Sequence, residues 1–240
     1  MANRVMVGTC GFPRPKTEYA NWLSCVEVQQ TFYQPPRLPT LENWRRQLPP
    51  EFEFTLKAWQ LITHEARSPT FKRLKKPLSE EERSQAGSFK PTEVVQQAWE
   101  YTLACAKALA AKTVLFQCPA SFKPTRENVA NLDRFFSGID RQGLNLAWEP
   151  RGAWEPELVK DLCENLQLWH AVDPFTTQTV TPDHCYFRLH GRQGWRYQYE
   201  EQELSDLLEL LPENRPSYVF FNNIHMLEDA LLFKKLLENR

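Results

Sequence analysis

The chain has 240 residues, 42% of them hydrophobic and 25% charged, which suits a globular protein with a sizeable core and allows one α/β barrel or two smaller domains. Lys and Arg number 29 against 30 Asp and Glu, so the net charge of -1 predicts no global attraction to nucleic acid or to an acidic membrane. No run approaches the roughly 18 apolar residues of a membrane span, and the opening MANRVMVGTCGF lacks the long apolar core of a secretory signal, so a cytoplasmic, non-membrane protein is expected.

Short aliphatic, β-branched and aromatic runs bounded by Gly, Pro or Asp predict strands at 4–10, 25–32 and 52–58. Residues 59–90 follow the third strand, are rich in charged residues, Ser and Pro, and show no sustained period. Their basic FKRLKK is answered at once by SEEER, which reads as a solvated insertion loop; after a barrel strand, the same loop could also serve as a lid. Residues 91–112 then place apolar side chains at 94, 95, 98, 99, 103, 106, 109 and 110, one face of a helix. A strand at 112–119, a helix at 126–139, a strand at 145–150 and a helix at 155–166 come next. Strands at 168–173 and 184–191 are separated by residues 174–183, too few for a comfortable crossover helix, so a loop or a single turn is expected there. A helix at 200–211, a strand at 217–223 and a helix at 226–238 complete the chain. Eight strands alternating with helices predict one TIM-like (β/α)8 barrel domain over residues 1–240, with a shortened unit between strands six and seven.

Strand side chains alternate between the barrel interior and the helix layer. In the second strand Val26 and Val28 share one parity and Glu27 the other; in the third, Phe54 and Leu56 oppose Thr55 and Lys57. The fourth sets Phe116 against Gln117, and the seventh sets Phe187 and Leu189 against Arg188 and His190. With the apolar parity facing the helices, the polar parity lines the downstream mouth. There Glu27, Lys57, Gln117, Glu149, Arg151, Asp173, Arg188, His190 and Asn223 form an expected ring, with His64 able to reach it from the loop after the third strand. Two structures for this ring stay open. It could be a site, or closed ion pairs of Glu27 with Lys57 and of Glu149 with Arg188 or Arg151 could plug the barrel.

Three carboxylates balance three fixed cations, so the ring does not announce a phosphate by charge. The glycine- and arginine-bearing HGRQGWR at 190–196 is an anion cradle or a plain tight turn. Glu149, Asp173 and His190 would make a reasonable divalent-metal set, but Lys57 and Arg188 oppose a cation, so no cofactor is expected and a divalent metal is the alternative. His170 has the opposite parity to Asp173 and reads as structural. The six cysteines never form a CxxC pair and read as small buried hydrophobes, with Cys10 and Cys118 notable for lying at strand ends. GxGxxG after a strand, GxxxxGK[ST], HExxH and GxSxG are all absent, which argues against dinucleotide, P-loop, zincin and serine-hydrolase chemistry.

The stretches VGTCGF, VEVQQTFYQPP, FEFTLKAWQLITH, FQCPASF, WEPRGAW, YFRLHG and FFNN, running in order from residue 7 to residue 223, resemble the DUF72, or YecE-like, family. The resemblance implies a TIM-barrel-like fold and no assigned reaction. It places the family's recurring polar residues on Glu27, Lys57, His64, Gln117, Glu149, Arg151, Asp173, Arg188, His190, Asn222 and Asn223. Gln29 and Gln30 stand where many members have Asn-Ser, and NNIHMLEDA lacks the Asp-Gly-like continuation.

The expected function is an enzyme acting on a small polar ligand, anionic or sugar-like, by acid-base chemistry at the mouth. Glu149 or His190 would move the proton, Lys57, Arg151 and Arg188 would stabilise negative charge, and Gln117, Asn222 and Asn223 would orient the ligand. One alternative is a non-catalytic barrel binding nucleic acid or protein through Lys72, Arg73, Lys75 and Lys76. A divalent-metal-dependent hydrolase or isomerase is the other.

Overall fold

The computed structural model describes residues 5–212 and 215–239. Eight strands close into a barrel in sequence order, every neighbouring pair parallel: β1 Val5–Cys10, β2 Cys25–Val28, β3 Glu53–Lys57, β4 Thr113–Gln117, β5 Asn145–Glu149, β6 Trp169–Val172, β7 Tyr186–Leu189 and β8 Ser217–Phe221. All eight predicted strands are present; Arg4, at the predicted start of the first, lies outside the described residues. Around them run α1 Lys16–Tyr19, α2 Gln30–Tyr33, α3 Leu38–Gln47, α4 Gln60–Thr63, α5 Glu80–Gln85, α6 Glu93–Leu109, α7 Arg126–Gly138, α8 Pro156–Asn165, α9 Glu201–Glu209 and α10 Met226–Glu238. None is long and apolar enough to cross a membrane among the described residues.

Helical period decides which face of α6 is buried. Val95, Ala98, Trp99, Thr102, Cys105, Ala106 and Leu109 recur three and four apart and all face the core. The helix stops at Ala110, whose left-handed φ of 51° lets its N–H return to the last turn. In α7 the Thr125 side chain caps the helix by accepting from the Asn128 N–H at 3.2 Å.

Parity divides the barrel into two apolar layers. Val26, Val28, Phe54, Leu56, Phe116, Trp148, Phe187 and Leu189 face outward and pack under the helices. Met6, Cys10, Cys25, Leu115, Ala147, Ala171, Tyr186, Tyr218 and Phe220 fill the interior. Gly8 belongs to that inner parity, and a Cβ there would lie 2.4 Å from the Cys25 carbonyl oxygen, so the close approach of β1 to β2 requires glycine. At the upstream end, buried Glu53 accepts from the Tyr218 hydroxyl and from Lys112 Nζ at 2.7 Å.

Two connections set the shape of the mouth. Between β6 and β7, residues 173–185 contain no helix, in line with the short spacing. The segment 59–90 is more ordered than its composition suggests: α4, a 3-10 turn at Pro69–Arg73 and α5 lie within it, and Gln60 to His64 and Ala86 to Phe89 are buried. Its two ends are stitched together by the Gly87 and Phe89 N–H groups donating to the Leu61 and Ile62 carbonyls at 2.8 and 2.9 Å. Long-range backbone pairing of this kind leaves no periodic trace in sequence.

Candidate active site

Arg188, near the end of β7, reaches across the barrel interior and is 1% exposed. Its Nε and Nη2 donate to the Glu27 carboxylate of β2 at 2.9 to 3.2 Å, and its Nη1 donates to Glu149 Oε2 of β5 at 2.5 Å. Burial opposes charging of all three groups, but each cation-carboxylate contact outweighs it. Glu27 is held below the ordinary carboxylate range, Glu149 is lowered to about 2 by Arg188 and then Arg151, and Arg188 is held well above its ordinary range by Glu149 and Glu27. Tyr186, one interior step below Arg188 on β7, donates to Glu27 Oε2 at 2.8 Å and meets Thr55 Oγ1 at 2.9 Å. Gln29 Nε2 also donates to Glu27 Oε1.

The chain of contacts continues outward along the mouth. Glu149 Oε1 accepts from Gln117 Nε2 at 3.1 Å and from Arg151 Nε at 2.9 Å. Arg151 Nη2 lies 3.1 Å from His190 Nε2, and His190 Nδ1 lies 3.6 Å from Asp173 Oδ2. Asp173 is fixed by the His190 and Phe175 N–H groups, which donate to its two oxygens at 2.9 and 3.1 Å. The side chains of Arg151 and His190 are 42% and 29% exposed, so this end of the chain meets solvent. It borders a cavity of about 710 Å³ lined by Glu149, Arg151, His170, Asp173, His190 and the helix-free stretch from Thr176 to Val180.

Lys57 belongs to the same ring and differs from the other members. It is 5% exposed, its carbonyl accepts from the Thr31 hydroxyl at 2.7 Å, and its Nζ sits 3.8 Å from the centroid of the Phe32 ring with no hydrogen bond or ion pair to a described residue. Burial and then the nearby Arg188 charge lower its amine to about 8, while Glu149 and Glu27 pull the other way. His64, expected to reach the mouth, packs edge-on against Phe32 and holds its Nδ1 2.7 Å from Thr63 Oγ1. Burial, Lys57 and Arg151 lower it to about 3, so it is neutral at physiological pH.

The structure therefore gathers Glu27, Lys57, Gln117, Glu149, Arg151, Asp173, Arg188 and His190 at the mouth; of the ion pairs considered for a plug, those of Glu149 with Arg188 and Arg151 are present and that of Glu27 with Lys57 is not. Glu27 takes Arg188 as its partner and leaves Lys57 without one. Asn223 does not join the ring: it has the outward parity, and its Nδ2 donates to the Tyr197 carbonyl at 2.7 Å and to Asp229 Oδ2 at 2.6 Å, tying the loop after β7 to α10. Asn222 has the inner parity and is half-buried, its N–H donating to the Leu189 carbonyl at 2.8 Å. His170 is buried, accepts from the Val180 N–H at 3.2 Å and is lowered to about 4 by burial, in keeping with its structural reading. Tyr186 and Phe32 escaped sequence reasoning. The parity of Tyr186 with Arg188 in CYFRLHG was the available signal for the first; nothing local marked the second.

In HGRQGWR the two glycines take φ values of 86° and 99°, Arg192 turns to Glu203 at 2.8 Å, and Arg196 stacks on exposed Trp195. Glu149, Asp173 and His190 do not fit a divalent ion as arranged, because both Glu149 oxygens already accept from cationic or amide donors and two guanidinium groups adjoin them. Among the described residues no group of three or more His, Cys, Asp or Glu side chains is gathered as a metal site. Cys10 and Cys118 are buried thiols: burial and Glu27 push the first well up, and burial pushes the second to about 12. Lys72, Arg73, Lys75 and Lys76 are exposed on the segment after β3, with Arg73 4.2 Å over the Tyr33 ring.

Comparison with known proteins agrees with this architecture. The family model described as "Protein of unknown function DUF72" matches residues 15–240. The UPF0759 protein YunF of Bacillus subtilis (strain 168) is 26% identical over 85% of this chain and 79% of its own length. A DUF72 family protein of Enterococcus faecalis V583 is 25% identical, with a TM-score of 0.75 over 98% of each chain. One from Thermotoga maritima MSB8 is also 25% identical, with a TM-score of 0.68 over 98% of this chain and 100% of that one.

Proposed function

The chain belongs to the DUF72 family of proteins of unknown function, and from that premise we propose that it is an enzyme acting on a small anionic, polar metabolite by acid-base chemistry at the barrel mouth. The observation that carries this reading is the half-exposed Arg151–His190 edge, held by buried ion pairs on one side and facing the 710 Å³ cavity on the other. TIM barrels do their chemistry at this end, and cavities of this size suit small ligands.

Within that reading the ring divides its labour. Arg188, Glu27 and Glu149 are saturated by one another and serve as the anchor. Glu149, ionised down to about pH 2, is a poor base and acts by holding Arg151. Arg151 Nη1 has no partner among the described residues, so the guanidinium can accept an anionic group of the ligand while Nε stays on Glu149. A ligand anion that draws Nη2 away would leave His190 Nε2 with only its longer 3.4 Å contact to Arg188 Nη1 and so open it as the proton acceptor, with Asp173 beside Nδ1 to stabilise the imidazolium formed. Threonines 176, 177 and 179 and Gln178 on the cavity wall offer hydroxyl and amide groups to a sugar-like ligand.

A thermal-shift screen of the purified protein against phosphorylated, carboxylated and neutral sugar metabolites tests the reading, with Arg151→Ala as control. Ligand at a hundred times its dissociation constant adds about 2.7 kcal/mol of stability. The expected result is a shift confined to anionic compounds and absent in Arg151→Ala. A blank panel, or hits that survive in Arg151→Ala, would overturn it, and a salt-sensitive nucleic-acid complex lost on mutating Lys72, Arg73, Lys75 and Lys76 would replace it.

A further inference from the structure

We propose that Lys57 is the covalent centre of this mouth and forms an imine with the ligand, which makes the substrate an aldehyde, ketone or keto acid. This deepens the acid-base reading and rests on it for the anionic group held by Arg151. Every other fixed charge of the buried ring is committed: Arg188 to Glu27 and Glu149, and Arg151 to Glu149. A buried ammonium ordinarily takes a carboxylate partner, because an unpaired one is destabilising. Here two carboxylates stand in the same ring, and both are turned to Arg188 instead.

The side chain is nevertheless well placed. Lys57 is in register with Leu115, so it stands one interior step below Gln117, and the charges of Arg188, Glu149, Glu27 and Arg151 all act on it. The Phe32 face at 3.8 Å stabilises a cation at Nζ without using its protons or its lone pair. That is what an amine needs when it must serve first as a nucleophile and then as an iminium ion.

The step balances without any added reagent. The Nζ lone pair forms the new C–N bond, and the carbonyl oxygen leaves as water with two of the three ammonium protons. The third proton stays on nitrogen, so the iminium carries the same single positive charge as the ammonium it replaces. Nothing is oxidised or reduced, and the electrostatic balance of the ring is unchanged. The iminium then acidifies the adjacent C–H, the kind of proton that His190 is proposed to accept.

Lowering of the amine to about 8 supports the proposal: at pH 7 it raises the free-amine fraction about 300-fold over that of an ordinary lysine. The test is reductive trapping at pH 7 with cyanoborohydride and two probes, pyruvate and glyceraldehyde 3-phosphate, read by intact mass and peptide mapping. One reduced adduct per chain is expected on Lys57, in about tenfold or greater excess over exposed Lys72, Lys75 and Lys76 despite its burial. Lys57→Met and Lys57→Arg should both remove it, the second keeping the positive charge. Labelling that follows exposure, or none at Lys57, overturns the proposal. Thermal shifts recorded with the same probes keep the two readings apart. An Arg151-dependent shift without a Lys57 adduct sinks the imine and leaves the acid-base reading standing. A Lys57 adduct indifferent to Arg151→Ala sinks the Arg151 role and upholds the imine.

Discussion

The two buried cations of the barrel mouth, Arg188 and Lys57, are buried to a similar degree and treated in opposite ways. Arg188 donates to two carboxylates, and Cys10 Sγ stands 3.6 Å from its Nη2. Lys57 rests on an aromatic face with its protons unused by described residues. Saturation makes the first a structural bolt between β2, β5 and β7. The lack of a partner makes the second a destabilising group, and unpaired buried charge of this kind marks the side of the ring where chemistry is expected.

The sharpest way to break this contrast is to remove the bolt. Arg188→Met leaves Glu27 and Glu149 buried without their common partner and should cost about 3–5 kcal/mol in urea unfolding. Retention of parental stability would mean that the pairs are not the anchor. Acid attacks the same bolt. Glu149 has its carboxyl lowered to about 2 from an ordinary 4.5, so its contribution is complete above about pH 5 and is lost as pH falls toward 2. That contribution is about 3 kcal/mol, and the acid limb of a stability-pH curve should flatten in Glu149→Gln.

Lys57 should respond with the opposite sign. Its folded-state value of about 8 lies below the ordinary 10.5, so the penalty for holding it charged is complete below pH 8 and is relieved as pH rises toward 10.5. Lys57→Met is therefore expected to be more stable than the parent by about 2–3 kcal/mol at pH 7, with the difference shrinking above pH 8. A destabilised Lys57→Met at pH 7 would show that the amine is structurally paired after all. The smallest change is expected at the rim. Arg151→Ala, whose side chain is 42% exposed, should lose no more than about 1 kcal/mol of stability. In the thermal-shift screen the same variant should lose the shift given by anionic ligands, because a charge-assisted contact is removed.

Much of this arrangement is legible before any coordinates. The alternation in CVEV, FTLK and YFRL already assigns Glu27, Lys57 and Arg188 to the interior, and the short gap between β6 and β7 already excludes a crossover helix there. Asn223 shows where reading by neighbourhood fails. It follows a strand end as its companions do, but its parity is outward and Asp229 of α10 claims it. The segment 59–90 shows another failure, since its order comes from Gly87 and Phe89 pairing back onto Leu61 and Ile62 and not from any local period.

Sequence alone thus determined the number and order of the strands and which side chains face the axis, because parity and helical period are local properties of the chain. Only the tertiary structure decided who meets whom. In a closed barrel the stagger between strands sets the height of each inward side chain, and side-chain length sets its reach across the interior. Arginine 188 is long enough, and at the right level, to bridge Glu27 and Glu149 from the far wall. Lys57 stands one interior step above the Thr55 that pairs with Glu27, and so it faces Phe32 alone.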